Sequence, residues 1–273
     1  MMFKLAIFDL DNTVLNQDKR LPKKTLQSIR KLKAQGVKIT IATGRNFEMA
    51  KPFALELGAE NLIACNNGGL LHDLKTGEIL KEKLIEPDAL IDAIDVAEKH
   101  AITYVIYTAS GVHLPAHQTR FDVYHEWNRM FPESPLEISE VTDTNQLKAL
   151  KAYKVLYVID EPQLLDKMRD QLAKHPALSV TKSSDTYLDI MPVGTDKKNA
   201  LEYFLATFNV KENEVIAFGD NDNDAELLNA IPFSFAMQNG TINAKEAASY
   251  ITRLDANHAG VAEVLENLKS YLG

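Results

Sequence analysis

Cysteine is almost absent from this chain: Cys65 stands alone among 273 residues, so no disulfide can form within it. A disulfide-framed scaffold is excluded, and a reducing compartment is the natural setting. Long apolar runs are missing as well, since no stretch approaches the ~18 consecutive apolar residues that mark a membrane-spanning helix. The opening segment Met1–Asp11 has a short apolar run broken by Lys4 and Asp9. It lacks the long apolar region and small-residue cleavage site of a secretory signal. Positive charge is in deficit: 30 Lys and Arg face 38 Asp and Glu, a formal net charge of −8. That balance argues against a nucleic-acid backbone or an anionic membrane as partner. Repeats and low-complexity segments are also lacking. The expectation is a cytoplasmic protein with no nucleic-acid or membrane partner and no obligate protein partner evident. A small anionic substrate stays open, because local charge can oppose the global sign.

What is present is an ordinary globular composition, 45% hydrophobic and 25% charged, on a chain long enough to bury a core without covalent staples. The first apolar run, Leu5–Phe8, reads as a strand buried on both faces. A helix over Pro22–Gln35 follows, with Leu26, Ile29 and Leu32 as its apolar stripe and Gly36 as its stop. Then come a strand at Val37–Ala42, a helix at Asn46–Leu57 and a strand at Leu62–Cys65 running into the turn signal Asn66–Asn67–Gly68–Gly69. Alternating strands and helices predict a parallel sheet covered on both faces. The middle differs, with strands at Ile102–Tyr107, Lys154–Ile159 and Tyr187–Met191, helices at Pro87–Lys99 and Pro162–Lys174, and frequent aromatics and prolines over 103–136. The last third returns to alternation, with a helix near Lys198–Phe208, a strand at Val215–Phe218, a further helix, a strand at Phe233–Ala236 and one final helix at Gly260–Leu272. The expected fold class is α/β, a Rossmann-like parallel-sheet core built from residues 1–82 plus 190–273, with an inserted α+β domain at 83–189.

Four polar segments each follow a predicted strand or lead into a helix at the edge where open parallel sheets bind ligands. Asp9 and Asp11 stand two residues apart, which in extended geometry puts both on one face. Two such carboxylates repel, which favours a shared proton or a bound cation; a strand-ending Asp/Asn turn explains them equally well. Thr43–Gly44–Arg45 offers a hydroxyl and backbone N–H groups to an anion, or simply an N-cap. Lys197, before a helix, is a point charge for a phosphate or a solvated lysine. Gly219–Asp220–Asn221–Asp222–Asn223–Asp224 packs three carboxylates into five residues. An EF-hand is excluded, since its sixth and twelfth positions would be Ala225 and Ile231 instead of glycine and glutamate. Together the segments supply oxygen ligands for a hard cation, cationic and backbone groups for a phosphate, and a carboxylate nucleophile for a covalent phosphoryl intermediate.

Taken in order, Asp9-x-Asp11-x-Thr13, Thr43, Lys197 and Gly219–Asp220 with Asn223–Asp224 resemble motifs I to IV of the haloacid dehalogenase superfamily. The inserted middle resembles the cap of its Cof-type sugar-phosphatase subgroup, and Ile63–Gly68, Tyr187–Lys197 and Phe235–Asn239 extend the likeness over nearly the whole chain. The resemblance implies a Mg2+-dependent phosphatase acting on a small phosphorylated metabolite such as a sugar phosphate. It implies that Asp9 attacks phosphorus to form an aspartyl-phosphate, and that Asp11 protonates the leaving alkoxide and then activates water. It assigns the metal to the Asp9 side chain, the Asp11 backbone carbonyl and Asp220, with Asp224 in support. It assigns the phosphate to Thr43, the Gly44 N–H, Lys197 and Asn223, with the Leu10 N–H beside them. An aspartate at position 11 fits alkoxide departure and so a phosphatase over a dehalogenase. Alternatives are phosphoryl transfer to a second sugar, as in a mutase, and a non-catalytic phosphometabolite sensor. Lys198 stands where the subgroup usually has glycine, and Gln238 replaces a common glycine; between the two lysines, Lys197 is expected at the phosphate. His113 and His117 have the i,i+4 spacing of a helical zinc site, but Pro115 between them opposes a helix. Tyr124, Trp127 and Phe131 are expected in the core of the inserted domain. Asn66 and Asn67 read most simply as turn formers, with a place lining the cleft as the alternative.

Overall fold

The computed structural model describes residues 3–115 and 121–272, apart from the side chain of Thr144. In chain order the first elements are β1 (Leu5–Phe8), α1 (Lys23–Ala34), β2 (Lys38–Ile41), α2 (Phe47–Leu57), β3 (Leu62–Cys65), β4 (Leu70–Asp73) and β5 (Ile79–Glu82). Next come α3 (Pro87–Lys99), β6 (Thr103–Tyr107), β7 (Gly111–Pro115), α4 (Phe121–Met130), β8 (Glu137–Val141), α5 (Thr144–Ala149), β9 (Lys154–Val158), α6 (Pro162–Leu172), β10 (Leu178–Lys182) and β11 (Tyr187–Pro192). The chain ends with α7 (Asn199–Phe208), β12 (Val215–Gly219), α8 (Ala225–Ala230), β13 (Phe233–Ala236), α9 (Ile242–Ala247), β14 (Tyr250–Ile251), α10 (Gly260–Glu266) and α11 (Leu268–Leu272). Among the described residues, no helix is long and apolar enough to cross a membrane. Two compact units emerge: Met1–Thr43 with Phe53–Leu80 and Asp196–Gly273, and Gly44–Pro52 with Lys81–Thr195.

The first unit is built on a five-stranded sheet in the order β14-β13-β12-β1-β2, with every neighbouring pair parallel. β1 is buried along its length, as a central strand covered on both faces must be. The period of two sends Leu5 and Ile7 to one face, where they join Ala217, Leu201, Phe204 and Leu227 in the core. It sends Phe8 to the other, where three neighbouring strands line up their rings. Phe8 stacks on Phe218 at 5.3 Å between centroids and Phe218 on Phe235 at 5.1 Å. These pairs are also backbone register partners, so one aromatic ladder sets the level at which all three strands end. Beyond β2, a parallel bridge between Ala42 and Ala64 carries the pairing on to the end of β3. β3 then turns through Asn66–Gly69 into antiparallel β4.

The second unit is α+β. Its six-stranded sheet runs β10-β11-β9-β6-β7-β8 and is antiparallel except for β7 with β8. Leu90 and Ile94 from α3 and Leu165 and Met168 from α6 bury against Ile106, Val155 and Tyr157. Tyr124 and Trp127 are buried on α4, and Phe131 stacks on Trp127 at 4.1 Å. His113 lies on a strand, not a helix; His117 lies outside the described residues.

Two sequence expectations change. Along α1 the buried stripe is Thr25, Ser28, Ile29 and Leu32, with Leu26 at its edge; burial of Ser28 is tolerated because its hydroxyl donates to Glu266 Oε1 at 2.9 Å. The single C-terminal helix is two helices, broken at Asn267, whose backbone leaves helical geometry at φ −122° and ψ 26°. The Asn267 side chain donates to the Glu263 carbonyl at 2.9 Å, and its backbone N–H donates to the same carbonyl at 3.1 Å. Phe204 is fully buried in the first unit, and Phe204→Ala is expected to cost about 3–5 kcal/mol, read as a lower urea midpoint at unchanged slope.

Candidate active site

Asp9 is the last residue on the β1 ladder: its N–H still donates to the Phe218 carbonyl at 3.0 Å. Because Phe8 and Phe218 are register partners, Asp9 emerges beside Gly219, one residue short of Asp220. Gly219 is required there by close approach. A Cβ on it would lie 2.6 Å from both Cβ and Cγ of Asp224. Its absence lets Asp224 fold back against the end of β12. One Asp224 oxygen, Oδ2, accepts the backbone N–H of Asp220 at 2.9 Å and that of Asn221 at 3.0 Å. This carboxylate closes its own loop.

Lys197 links the pieces. Its ammonium donates to Asp9 Oδ1 at 2.7 Å and to Asp224 Oδ1, and the residue is fully buried. Lys198 is exposed, so Lys197 is the lysine at the carboxylates. Thr13 Oγ1 donates to Asp220 Oδ1 at 2.8 Å. One oxygen each from Asp9, Asp220 and Asp224 lie within 4.8 Å of one another. Burial pushes the Asp9 carboxyl up to about 7 against the pull of Lys197, with Asp224 and Asp11 adding to the rise. Burial likewise holds Asp220 well above the usual carboxylate range, with Asp9 and Asp224 contributing. Burial also disfavours the Lys197 ammonium, but Asp224 and Asp9 outweigh it and raise its pKa. Three carboxylates against one ammonium leave two negative charges uncompensated when all are ionised. Clustered hard oxygen donors with that deficit suit a divalent cation.

The other expected residues are distributed unevenly. Beyond Asp9 the chain enters a turn at Leu10, and Asn12 takes φ 57°. The Asp11 carboxylate forms an ion pair with Lys19 at 2.8 Å, one-third exposed, and stands apart from the three-carboxylate cluster. Leu10 is fully buried, its carbonyl accepting the Leu15 N–H at 2.8 Å. Thr43 is buried, and its N–H donates to the Ala64 carbonyl at 3.0 Å. Gly44 falls in the second unit, where its carbonyl accepts from Lys154 Nζ at 2.7 Å. Asn223 Nδ2 donates to Asn67 Oδ1 at 2.9 Å. Sequence reasoning did not foresee Thr13 as the partner of Asp220 or Asn67 as the partner of Asn223. Nor did it foresee Asn239, which donates to the Asn12 carbonyl and accepts the Ala256 N–H. The Thr13–Asp220, Asn67–Asn223 and Asn239–Asn12 bonds join residues far apart in the chain, beyond the reach of any local pattern.

The chain matches the haloacid dehalogenase-like hydrolase family over residues 6–265. The HMP-PP phosphatase of Serratia proteamaculans is 29% identical over 87% of this chain and 85% of its own length. The 5-amino-6-(5-phospho-D-ribitylamino)uracil phosphatase of Bacillus subtilis is 26% identical over 97% of this chain and 95% of its own. The crystal structure of a haloacid dehalogenase-like hydrolase from Bacteroides thetaiotaomicron, 25% identical, aligns with a TM-score of 0.79 over 97% of this chain and 99% of that one.

The raised Asp9 pKa has a thermodynamic consequence. Between the ordinary carboxylate value and about 7, the folded chain holds a proton that the unfolded chain has lost. The stability this provides is complete below that window and is lost as pH rises through about 7. The metal-free chain is therefore expected to show a falling Tm from about pH 5 to about pH 8. Asp9→Asn flattens that slope, and added divalent cation raises Tm more at the higher pH, where it meets no competing proton. Thermal unfolding monitored by circular dichroism checks this.

Proposed function

The chain belongs to the haloacid dehalogenase-like hydrolase family, and from that premise we propose that it is a Mg2+-dependent phosphatase of small phosphomonoesters, sugar phosphates or related metabolites. The observation that carries the proposal is the Lys197 ammonium bridging Asp9 and Asp224, with Asp220 within 4.8 Å, at the carboxyl end of a parallel sheet. The phosphatase names of the relatives from Serratia proteamaculans and Bacillus subtilis agree with it.

In this reading Asp9 attacks phosphorus. A bond forms between its carboxylate oxygen and phosphorus while the ester P–O bond breaks, giving an aspartyl-phosphate. Asp11 gives its proton to the departing alkoxide, then takes one from the water that hydrolyses the intermediate, releasing inorganic phosphate. The pair with Lys19 is exposed enough for Asp11 to change partner. Lys197, Thr43 and Asn223 hold the phosphoryl oxygens, with the backbone N–H groups of Leu10 and Gly44 beside them. Asp9, the Asp11 carbonyl and Asp220 would hold Mg2+, and Asp224 would support it from its loop-closing position. When bound, the cation supplies the missing positive charge and so favours the ionised Asp9 that a nucleophile requires. The unit inserted in the middle of the chain is read as the cap domain that selects the leaving group.

With a panel of phosphorylated metabolites and Mg2+, the wild-type chain is expected to release inorganic phosphate, and EDTA to abolish the release. Asp9→Asn is expected to lower kcat by about a thousandfold or more. Near wild-type turnover by this variant would sink the assignment. With a sugar acceptor present, an isomeric sugar phosphate in place of inorganic phosphate would point to a mutase.

A further inference from the structure

The turn Asn66–Gly69 reads from sequence as a connector, yet within the first unit it touches three of the segments assigned above to the phosphate. The Asn67 N–H donates to the Thr43 carbonyl at 2.9 Å. The Asn67 side-chain Oδ1 accepts from Asn223 Nδ2 at 2.9 Å. Gly68 lies against the backbone before α7, where a Cβ would stand 2.4 Å from the Asp196 carbonyl oxygen and 3.5 Å from Lys197 Cα. The three positions Asn66, Asn67 and Gly68 all take positive φ, at 45°, 54° and 86°. Asn66 is fully buried, and neither atom of its amide finds a hydrogen-bond partner among the described residues. Consecutive left-handed residues suit a tight hairpin connection, but a hairpin needs no stranded buried amide, a feature that gathers where geometry serves a site.

We infer that Asn67 is a positioning residue for the phosphate site: its side-chain oxygen fixes the amide of Asn223, and its turn holds Thr43 and Lys197 at fixed spacing from that amide. The amide has one acceptor and one donor group. With Asn67 taking a proton of Nδ2, the remaining Nδ2 proton is presented in a set direction, and the Asn223 rotamer is locked. Asn67 does not touch the reacting atoms; it acts through Asn223. The kinetic consequence rests on the phosphatase reading, whereas the geometric one does not.

Asn67→Gly is the clean test, because glycine accepts the left-handed backbone and removes only the side chain. Asn67→Asp keeps the acceptor oxygen and serves as the conservative rescue. In the full chain without ligand, NMR is expected to show the Asn223 side-chain amide protons exchanging slowly in wild type and in Asn67→Asp, and fast in Asn67→Gly. The kcat/KM of Asn67→Gly is expected to fall about tenfold, the size of one lost hydrogen bond, with Tm within a few degrees of wild type. On an Asn223→Ala background the same change should cost nothing further. Unchanged exchange at Asn223 in Asn67→Gly, or losses that multiply in the double variant, would overturn the inference. Should wild type turn over no phosphate ester, the phosphatase reading falls separately, and the exchange measurement alone decides for or against Asn67.

Discussion

Everything at the candidate site depends on one electrostatic imbalance. Asp9, Asp220 and Asp224 are buried together, and among the described residues the Lys197 ammonium is the compensating charge that bridges Asp9 and Asp224. Buried charges are tolerated when they are paired and hydrogen-bonded. Here the pairing stops short, and burial, with the neighbouring carboxylates adding to it, holds Asp9 and Asp220 above the usual carboxylate range. A cluster of this kind holds protons when it holds nothing else, and under the proposed function a divalent cation completes it. In that reading the same deficit prepares the nucleophile, since whatever neutralises the cluster also sets whether Asp9 is a carboxylate.

The fold keeps those charges where they are by apolar means. Phe8, Phe218 and Phe235 stack in register across three strands, so the residues that follow them emerge level at the sheet edge. Gly219 gives Asp224 room to turn back, and two backbone N–H groups then fix that carboxylate. Lys197 is delivered by the segment before α7, which meets Gly68 closely enough that no larger residue fits. The geometry of the site is thus a result of packing one or two residues away from each polar group.

How much of this was legible in the sequence follows from the range of each interaction. The strands Leu62–Cys65 and Phe233–Ala236 and the helix Pro87–Lys99 were readable to the residue, because apolar residues bounded by asparagine or proline and an apolar stripe beginning at proline carry local signals. The fold class was readable from the alternation of such elements. The final helix was misjudged because the Asn267 backbone leaves helical geometry, which apolar spacing does not reveal. At the site, Asp9, Lys197, Asp220 and Asp224 were identified as a set by their order along the chain, and they meet in space. Asp11 lies just beyond β1, where the chain enters a turn, and its carboxylate pairs with Lys19. Thr13, Asn67 and Asn239 lay in segments the sequence singled out, but their partners, 207, 156 and 227 residues away, were not readable.

The central claim is that Asp9 carries the phosphoryl group between the two halves of the reaction. It is tested most directly by mixing the Asp11→Asn variant with Mg2+ and a phosphate ester, quenching in acid and mapping the peptides by mass spectrometry. Slowed hydrolysis of the intermediate should leave a phosphoryl group on Asp9. Consumption of the ester with no adduct, or with the adduct on any other residue, would contradict the account.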